Sequence, residues 1–385
     1  MTKSSVRITD LHVPGSLDGP DAAAFLADCA LANLVKEHER GSGDSWLSPQ
    51  ARRVMATSSV YEERSILSAW IPAGDSERLV GRAAVTIPLR DNLRLAEVSI
   101  QVHPEVRRRG IGSALYAACL PRIAAASRTT VIGWSDHGWL ETDDAAAGTR
   151  TEAAQILTPA TGSGAIELAA PSASFARKLG FSLEQIERLS VLAVPIPAAR
   201  LDALTGGRGG ASDGYDLTGW HSHCPPDLLE GYAMLRRRMT TEVPQGALDW
   251  EEEDWTSERI RLEESELAPE GRELLVTVAR EASSGALVGQ TVLEYLPAKP
   301  DVVFQEDTLV LPGHRGHRLG MRLKLANLER LTAQWPAVRR IYTGNAAENE
   351  PMLAINTALG FIPAGCTAIW QKAAAVSDGR GTLRA

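Results

Sequence analysis

Two segments of the chain carry residues whose types and spacing suit one task, holding a pyrophosphate. They read Val102-His103-Pro104-Glu105-Val106-Arg107-Arg108-Arg109-Gly110-Ile111-Gly112 and Val310-Leu311-Pro312-Gly313-His314-Arg315-Gly316-His317-Arg318-Leu319-Gly320. In each, a Val-x-Pro run at the end of a strand leads through arginine to a glycine that opens a helix. A pyrophosphate needs several converging backbone N–H groups, and a helix N-terminus presents them with a dipole of the right sign. Glycine at the turn keeps side chains off the anion. In the first segment Arg107, Arg108 and Arg109 add positive charge, and Gly112 and Ser113 let the helix start press close. The second offers Arg315, Gly316, His317, Arg318, Leu319, Gly320 and Met321 at the matching places.

Such a loop works only if a strand delivers the chain to it and a helix leaves it, and the sequence supplies both twice. Each copy also has a later Leu-Gly-Phe, at Leu179-Gly180-Phe181 and Leu359-Gly360-Phe361, where an apolar helix stops at a glycine cap. The repeat therefore spans whole domains. In the second copy, apolar periodicity predicts strands over Tyr215 to Trp220, Arg272 to Arg280, Ala286 to Tyr295, Val302 to Leu311 and Arg339 to Thr343. A last strand ends at Gln371, and helices cover Asp227 to Thr241, Leu319 to Gln334 and Pro351 to Leu359. The first copy follows the same order, with strands near Ser65 to Ile71, Val80 to Pro88, Ala96 to Val102, Thr129 to Trp134 and Leu189 to Val194. Residues 137–164, rich in Ala, Gly and Thr, read as a long surface loop with some helix. Residues 198–213 (AARLDALTGGRGGASD) lack an apolar period and read as a linker. The expected domains are thus residues 1–197 and 214–373, followed by a flexible tail at 374–385. Each is a mixed α/β domain, a meander followed by a βαβ step.

Composition narrows the functional classes. With 385 residues, 44% of them hydrophobic and 23% charged, the chain has apolar material for two cores. A net charge of -8 argues against a nucleic-acid partner, whose affinity comes from clustered Lys and Arg. The N-terminal residues have no apolar core of signal-peptide length, and no apolar run is long enough to cross a bilayer, so a cytoplasmic protein is expected with no membrane partner. Cys29, Cys119, Cys224 and Cys366 form no CxxC pair and read as reduced structural thiols. His221-Ser222-His223-Cys224 lacks a distant ligand pair, so its histidines read as solvent-facing and no metal is expected.

The loop pattern, R/Q-x-x-G-x-G/A after a Val-x-Pro strand, resembles the coenzyme A pyrophosphate loop of the GNAT superfamily, here in a tandem two-domain layout. The resemblance implies two GNAT folds, each a mixed, mostly antiparallel sheet with splayed central strands flanked by helices. It implies that the pantetheine arm lies along the strand before each loop, at Ile100 to Val102 (Ile100, Val102) and Leu309 to Leu311 (Leu309, Val310, Leu311). The copies depart from the family in different ways. Arg318 stands where the family's first glycine belongs, whereas the first copy keeps Gly110 and Gly112. The family's Asn at the start of the later helix is matched by Asn349, while the first copy has Ala169 there. The tyrosine that often acts as general acid is replaced by Asn356 and Ala176.

What the resemblance implies for chemistry is transfer of an acetyl group from acetyl-CoA to the primary amine of a small molecule by direct attack on the thioester. An amine of lysine-like basicity must first lose its proton. The family commonly draws the base from the fourth strand, which points to Glu306 and Asp307 in the second copy ahead of Glu97 in the first. Asp249-Trp250-Glu251-Glu252-Glu253-Asp254-Trp255 reads as a solvated helix start or, less simply, as a lure for a cationic acceptor. The alternative is a domain pair that binds acyl-CoA as a sensor or scaffold without transfer.

Overall fold

The computed structural model describes residues 6–140, 155–205, 214–374, 377–378 and 382–383. In chain order the first half comprises β1 (Arg7–Asp10), α1 (Ala22–Arg40), α2 (Pro49–Met55), β2 (Glu62–Ala73), β3 (Ser76–Pro88), β4 (Leu95–Val102), α3 (Ile111–Ala125) and β5 (Thr130–His137). A short pair, β6 (Ile156–Leu157) and β7 (Ile166–Glu167), precedes α4 (Pro171–Lys178), β8 (Ser182–Ala193) and α5 (Ala198–Thr205). The second half comprises β9 (Tyr215–His221), α6 (Leu229–Glu242), α7 (Ser257–Glu270), β10 (Glu273–Glu281), β11 (Leu287–Tyr295) and β12 (Val302–Val310). It ends with α8 (Leu319–Gln334), β13 (Arg340–Ala346), α9 (Glu350–Leu359) and β14 (Ile362–Ala373).

Two compact units result, each mixed α/β with a mostly antiparallel sheet, as expected. Their limits differ from the expected 1–197 and 214–373. One unit is Met1–Ile186, Gly246–Trp250 and Thr367–Ala385; the other is Glu187–Gln245 and Glu251–Cys366. The reason lies in two long strands. β8 pairs through Glu187–Ala193 with Ala346–Arg340 of β13, so its second half belongs to the second unit. The end of β14 instead follows β5, in the first. Neither the early reach of β8 nor the early start of β14 at Ile362 is visible in the predicted strands.

Strand order in the first unit is β1-β2-β3-β4-β5-β14 and in the second β8-β13-β12-β11-β10-β9. In both, antiparallel neighbours give way to one parallel pair at the centre. β4 pairs β5 only over Leu95–Glu97 with Thr130–Ile132, and β12 pairs β13 only over Val302–Gln305 with Arg340–Thr343. Past those rungs the strands separate. Gly133 sits at the fork in the first unit, where a Cβ would press on the Val98 carbonyl at 3.1 Å.

The helices that leave the loops are locked by apolar burial on the sheet. Ile111, Leu115, Cys119 and Ile123 of α3 recur at helical spacing and are all buried against Val80, Ala83, Val85 and Val98. Leu319 and Leu323 of α8 pack on Ala279 and Val288. In the first unit α1 is tied to β3 by a buried ion pair, Arg82 Nε to Asp28 at 3.0 Å, with Arg82 also donating to Gln101.

Residues 198–213, expected as a linker, begin with a helix. Leu201 and Leu204 of α5 pack against the second unit's core, so an apolar pair three residues apart is enough to fix one face. Of the expected loop at 137–164, residues 141–154 lie outside the described residues, and Ile156–Leu157 pairs with Ile166–Glu167. Most of the expected tail at 374–385 also lies outside them. Among the described residues no helix is long and apolar enough to cross a membrane, and all four cysteines are buried thiols.

Candidate functional site

The fork in the first unit opens into a cavity of about 740 Å³. One wall is Val98–Val102 of β4, whose edge toward β5 carries no ladder beyond Glu97 and Ile132. The opposite wall is Gly133–Asp136 of β5 and Ser172, Phe175 and Leu179 around α4. At its mouth lies the arginine loop, with Arg107, Arg108, Gly110, Ile111, Gly112 and Ser113 all on the lining.

The loop's backbone explains its composition. Arg108 (φ +67°) and Gly110 (φ +85°) are both left-handed, which turns the chain from the end of β4 into α3, whose N-cap Gly110 supplies no side-chain hydrogen bond to the first N–H groups of the helix. Gly112 faces the Phe175 ring, where an added Cβ would stand 3.1 Å away, so only glycine leaves α3 this close to α4. Arg107 is used internally: its Nε donates to the Val102 carbonyl at 3.0 Å and its Nη2 to Glu39 at 2.9 Å, fastening the loop to the end of β4 and to α1. Arg109 is exposed and off the lining.

Deeper in the cavity is a polar network that the sequence reading missed, because it is drawn from α1, β5 and β14. Asp136 receives Lys36 Nζ, Arg40 Nη2 at 2.8 Å and Thr367 Oγ1 at 3.1 Å. Burial alone would raise its carboxyl, but Lys36 and Arg40 outweigh that and hold it down at about 2. Beside it, Ser135 Oγ accepts from Trp370 Nε1 at 2.8 Å and lies 2.7 Å from His137 Nε2. Burial pushes His137 down to about 4 against the opposing pull of Asp136, so the imidazole is neutral at pH 7. Burial raises the Glu39 carboxyl, with Arg107 opposing. The only sequence signal for this network was the polar ending of the fifth strand, Trp134-Ser135-Asp136-His137.

Glu97, a candidate base, sits on the last paired rung of β4, opposite Thr86 and Ile132, and is not on the cavity lining. The other candidates, Glu306 and Asp307, lie past the fork of the second unit, on a smaller pocket of about 290 Å³ shared with Asn345, Asn349 and Tyr342. Protein crowding, with Glu294 and Asp307 nearby, raises the Glu306 carboxyl above the usual range while its side chain still reaches solvent. Burial also raises Asp307, with Arg236, 3.5 Å away, opposing. Asn349 caps α9 by accepting from Met352 N at 3.4 Å.

The second loop keeps the geometry of the first with the glycine moved. Gly316 (φ +87°) and Arg318 (φ +56°) occupy the two left-handed positions that Arg108 and Gly110 hold. Arg318 thus adopts the backbone of the glycine it replaces, at a cost of about 1 kcal/mol. Arg315 repeats the fastening, Nε to the Val310 carbonyl at 3.1 Å and Nη2 to Glu242 at 3.2 Å. Leu309, Leu319 and Met321 are buried, and Gly320 faces Ile355 as Gly112 faces Phe175. None of Leu309, Val310, Leu311, Arg315, Gly316, His317, Arg318, Leu319, Gly320 or Met321 lines the smaller pocket.

The remaining motifs resolve into structure. Asp249 bonds Arg94 and Thr130, and in the second unit Trp255 is stacked under Arg236 and Arg259, 4.0 and 4.3 Å from its centroid. His221 faces Glu273 and His223 faces Glu264.

Comparison with known proteins agrees with this geometry. Residues 32–142 match the model of the acetyltransferase (GNAT) family. Over 97% of this chain and all of the other, the structure is similar to a tandem GNAT protein from the clavulanic acid biosynthesis pathway, at 25% identity and a TM-score of 0.72. It also has the fold of a GCN5-related N-acetyltransferase from Sphaerobacter thermophilus, at 13% identity and a TM-score of 0.61, over 97% and 96% of the two chains. No curated protein matches the chain by sequence.

Proposed function

We propose that the chain, whose residues 32–142 match the acetyltransferase (GNAT) family model and whose fold is similar to a tandem GNAT protein, is an N-acyltransferase whose first unit transfers an acetyl group from acetyl-CoA to the primary amine of a small molecule. The observation that carries the reading is the 740 Å³ cavity at the fork of β4 and β5, with a left-handed loop and the start of α3 at its mouth. A volume of this size suits a cofactor arm together with a small acceptor.

The residues fit acyl-CoA. Backbone N–H groups at Gly110–Ser113 would take the pyrophosphate, with Arg108 beside them, and the open edge of Val98–Val102 would take the pantetheine amides. Bound acetyl-CoA supplies a thioester carbonyl, which the acceptor nitrogen attacks directly. N–H groups on the open β4 edge are in place to stabilise the charge that develops on that carbonyl oxygen. Asp136, committed to Lys36 and Arg40, stays ionised.

The acceptor's proton leaves through Ser135. Trp370 fills one acceptor position of the hydroxyl; with His137 as its Nδ1–H tautomer, Ser135 donates to His137 Nε2, and the hydroxyl is free to take up a new proton as it hands on its own. Neutral His137 receives it beside the Asp136 carboxylate, which stabilises the imidazolium formed. A weak base suffices, because the acceptor attacks as its free amine, having left its ammonium proton in solvent, and the nitrogen becomes acidic once its lone pair enters the new bond; the C–S bond then breaks and the coenzyme A thiolate leaves, taking a proton from solvent.

The test is thiol release from acetyl-CoA across a panel of primary amines. Gly110→Glu places a carboxylate where the pyrophosphate is held and should abolish binding and turnover. Ser135→Ala should lower kcat while leaving the KM for acetyl-CoA unchanged. Absence of acetyl-CoA binding at millimolar concentration, or full turnover by Gly110→Glu, would overturn the reading.

A further inference from the structure

We infer that α5 is a built-in occupant of the second unit's cofactor groove and is what keeps acyl-CoA out of that unit. The inference goes beyond acyl transfer by the first unit and rests on a position-by-position comparison of the two copies.

Aligning the arginine loops and the Leu-Gly-Phe segments pairs Gly110 with Arg318, Ser113 with Met321, Leu179 with Leu359 and Phe181 with Phe361. All four first-unit residues line the large cavity. Of their four counterparts, Arg318 and Leu359 bond α5 directly, and Met321, Leu359 and Phe361 belong to the cluster against which α5 packs. Arg318 Nη2 donates to the Leu204 carbonyl at 3.1 Å. Arg200 Nη1 donates to the Leu359 carbonyl at 3.4 Å, and its guanidinium lies where a Cβ on Gly360 would be. Leu201 and Leu204 pack on the cluster that contains Met321, Leu359 and Phe361.

The chemistry of the contact fits a substitute ligand. In the first unit the loop offers N–H donors and positive charge to an anion. In the second, the Arg318 guanidinium is bonded instead to a carbonyl in the last turn of α5, the negative end of that helix's dipole. Two leucines then cover apolar surface that the cofactor arm would otherwise cover. Arg318 therefore has a use that glycine at the same position would not have, which accounts for a non-glycine residue held at φ +56°.

α5 has no buried residue, so it can be altered without opening the core. The experiment is calorimetric titration of full-length protein with acetyl-CoA, comparing wild type, Gly110→Glu, the double change Leu201→Asp with Leu204→Asp, and the triple combination. Circular dichroism and amide exchange verify the fold. The expected stoichiometries are one for wild type, none for Gly110→Glu, two for the α5 variant and one for the triple. A milder pair, Arg200→Ala with Leu204→Ser, should give the same second site if the aspartates unfold the unit. Two sites in wild type, or no added site in either folded α5 variant, refutes the inference. If wild type binds nothing, the first-unit reading fails separately, and the triple variant alone decides α5: one site supports its role and none refutes it.

Discussion

Lys324 lies on α8 with 2% of its surface exposed, and among the described residues no carboxylate pairs with it; its ammonium lies 5.9 Å from the Phe361 ring. Burial pushes it down from 10.5 to about 7. At ~1.4 kcal/mol per tenfold change, that shift sets a ceiling of about 5 kcal/mol on the penalty for the charged form. Local relaxation and water entry reduce it, so replacing the side chain by Met, of similar length and apolar, should stabilise the second unit by about 2–4 kcal/mol at pH 7 or below. The dependence on pH follows from where the proton resides. The unfolded chain keeps it up to about pH 10.5 and the folded chain releases it above about pH 7, so between these values unfolding takes up a proton. Wild-type stability therefore rises with pH across that window. The advantage of Lys324→Met is complete below pH 7, shrinks from pH 7 to 10.5 and vanishes above. Denaturant unfolding of wild type and variant at pH 6, 8 and 10, followed by tryptophan fluorescence and circular dichroism, measures it. A variant less stable than wild type at pH 6, or a difference that does not change with pH, would refute the argument that Lys324 is buried without a compensating charge.

Two further outcomes follow from the first unit. Gly112→Val pushes a side chain against the Phe175 ring, already 3.1 Å from an added Cβ, and narrows the cavity; acetyl-CoA affinity should fall at least about tenfold by calorimetry, with a stability loss of about 1–3 kcal/mol. Asp136, held at about 2 against an ordinary 3.8, contributes stability that is present above pH 3.8 and lost as pH falls toward 2. Asp136→Asn should therefore cost about 2–3 kcal/mol at pH 7 and nothing near pH 2, measured by unfolding in acid and neutral buffer.

The sequence by itself determined the repeated architecture and both loops. Val-x-Pro, arginine and glycine recur at fixed spacing because a strand end, a left-handed turn and a helix start are local events, written in consecutive residues. The helix Leu319 to Gln334 and the glycine stop at Gly360 were legible for the same reason. What joins distant residues was not legible. Asp136 meets Lys36, Arg40 and Thr367, and Ser135 meets Trp370, only because α1 and β14 are brought against β5. The candidate carboxylates Glu306 and Asp307 could be placed on their strand, but their separation from the second loop depends on which surfaces stay open. Ala198–Thr205 shows the limit most plainly: in composition it is a linker, and only the packing of Leu201 and Leu204 against the second unit's core gives it a fixed face. Local turn chemistry is fixed by neighbouring residues, whereas occupancy and charge environment are set by whatever the fold brings within a few ångströms.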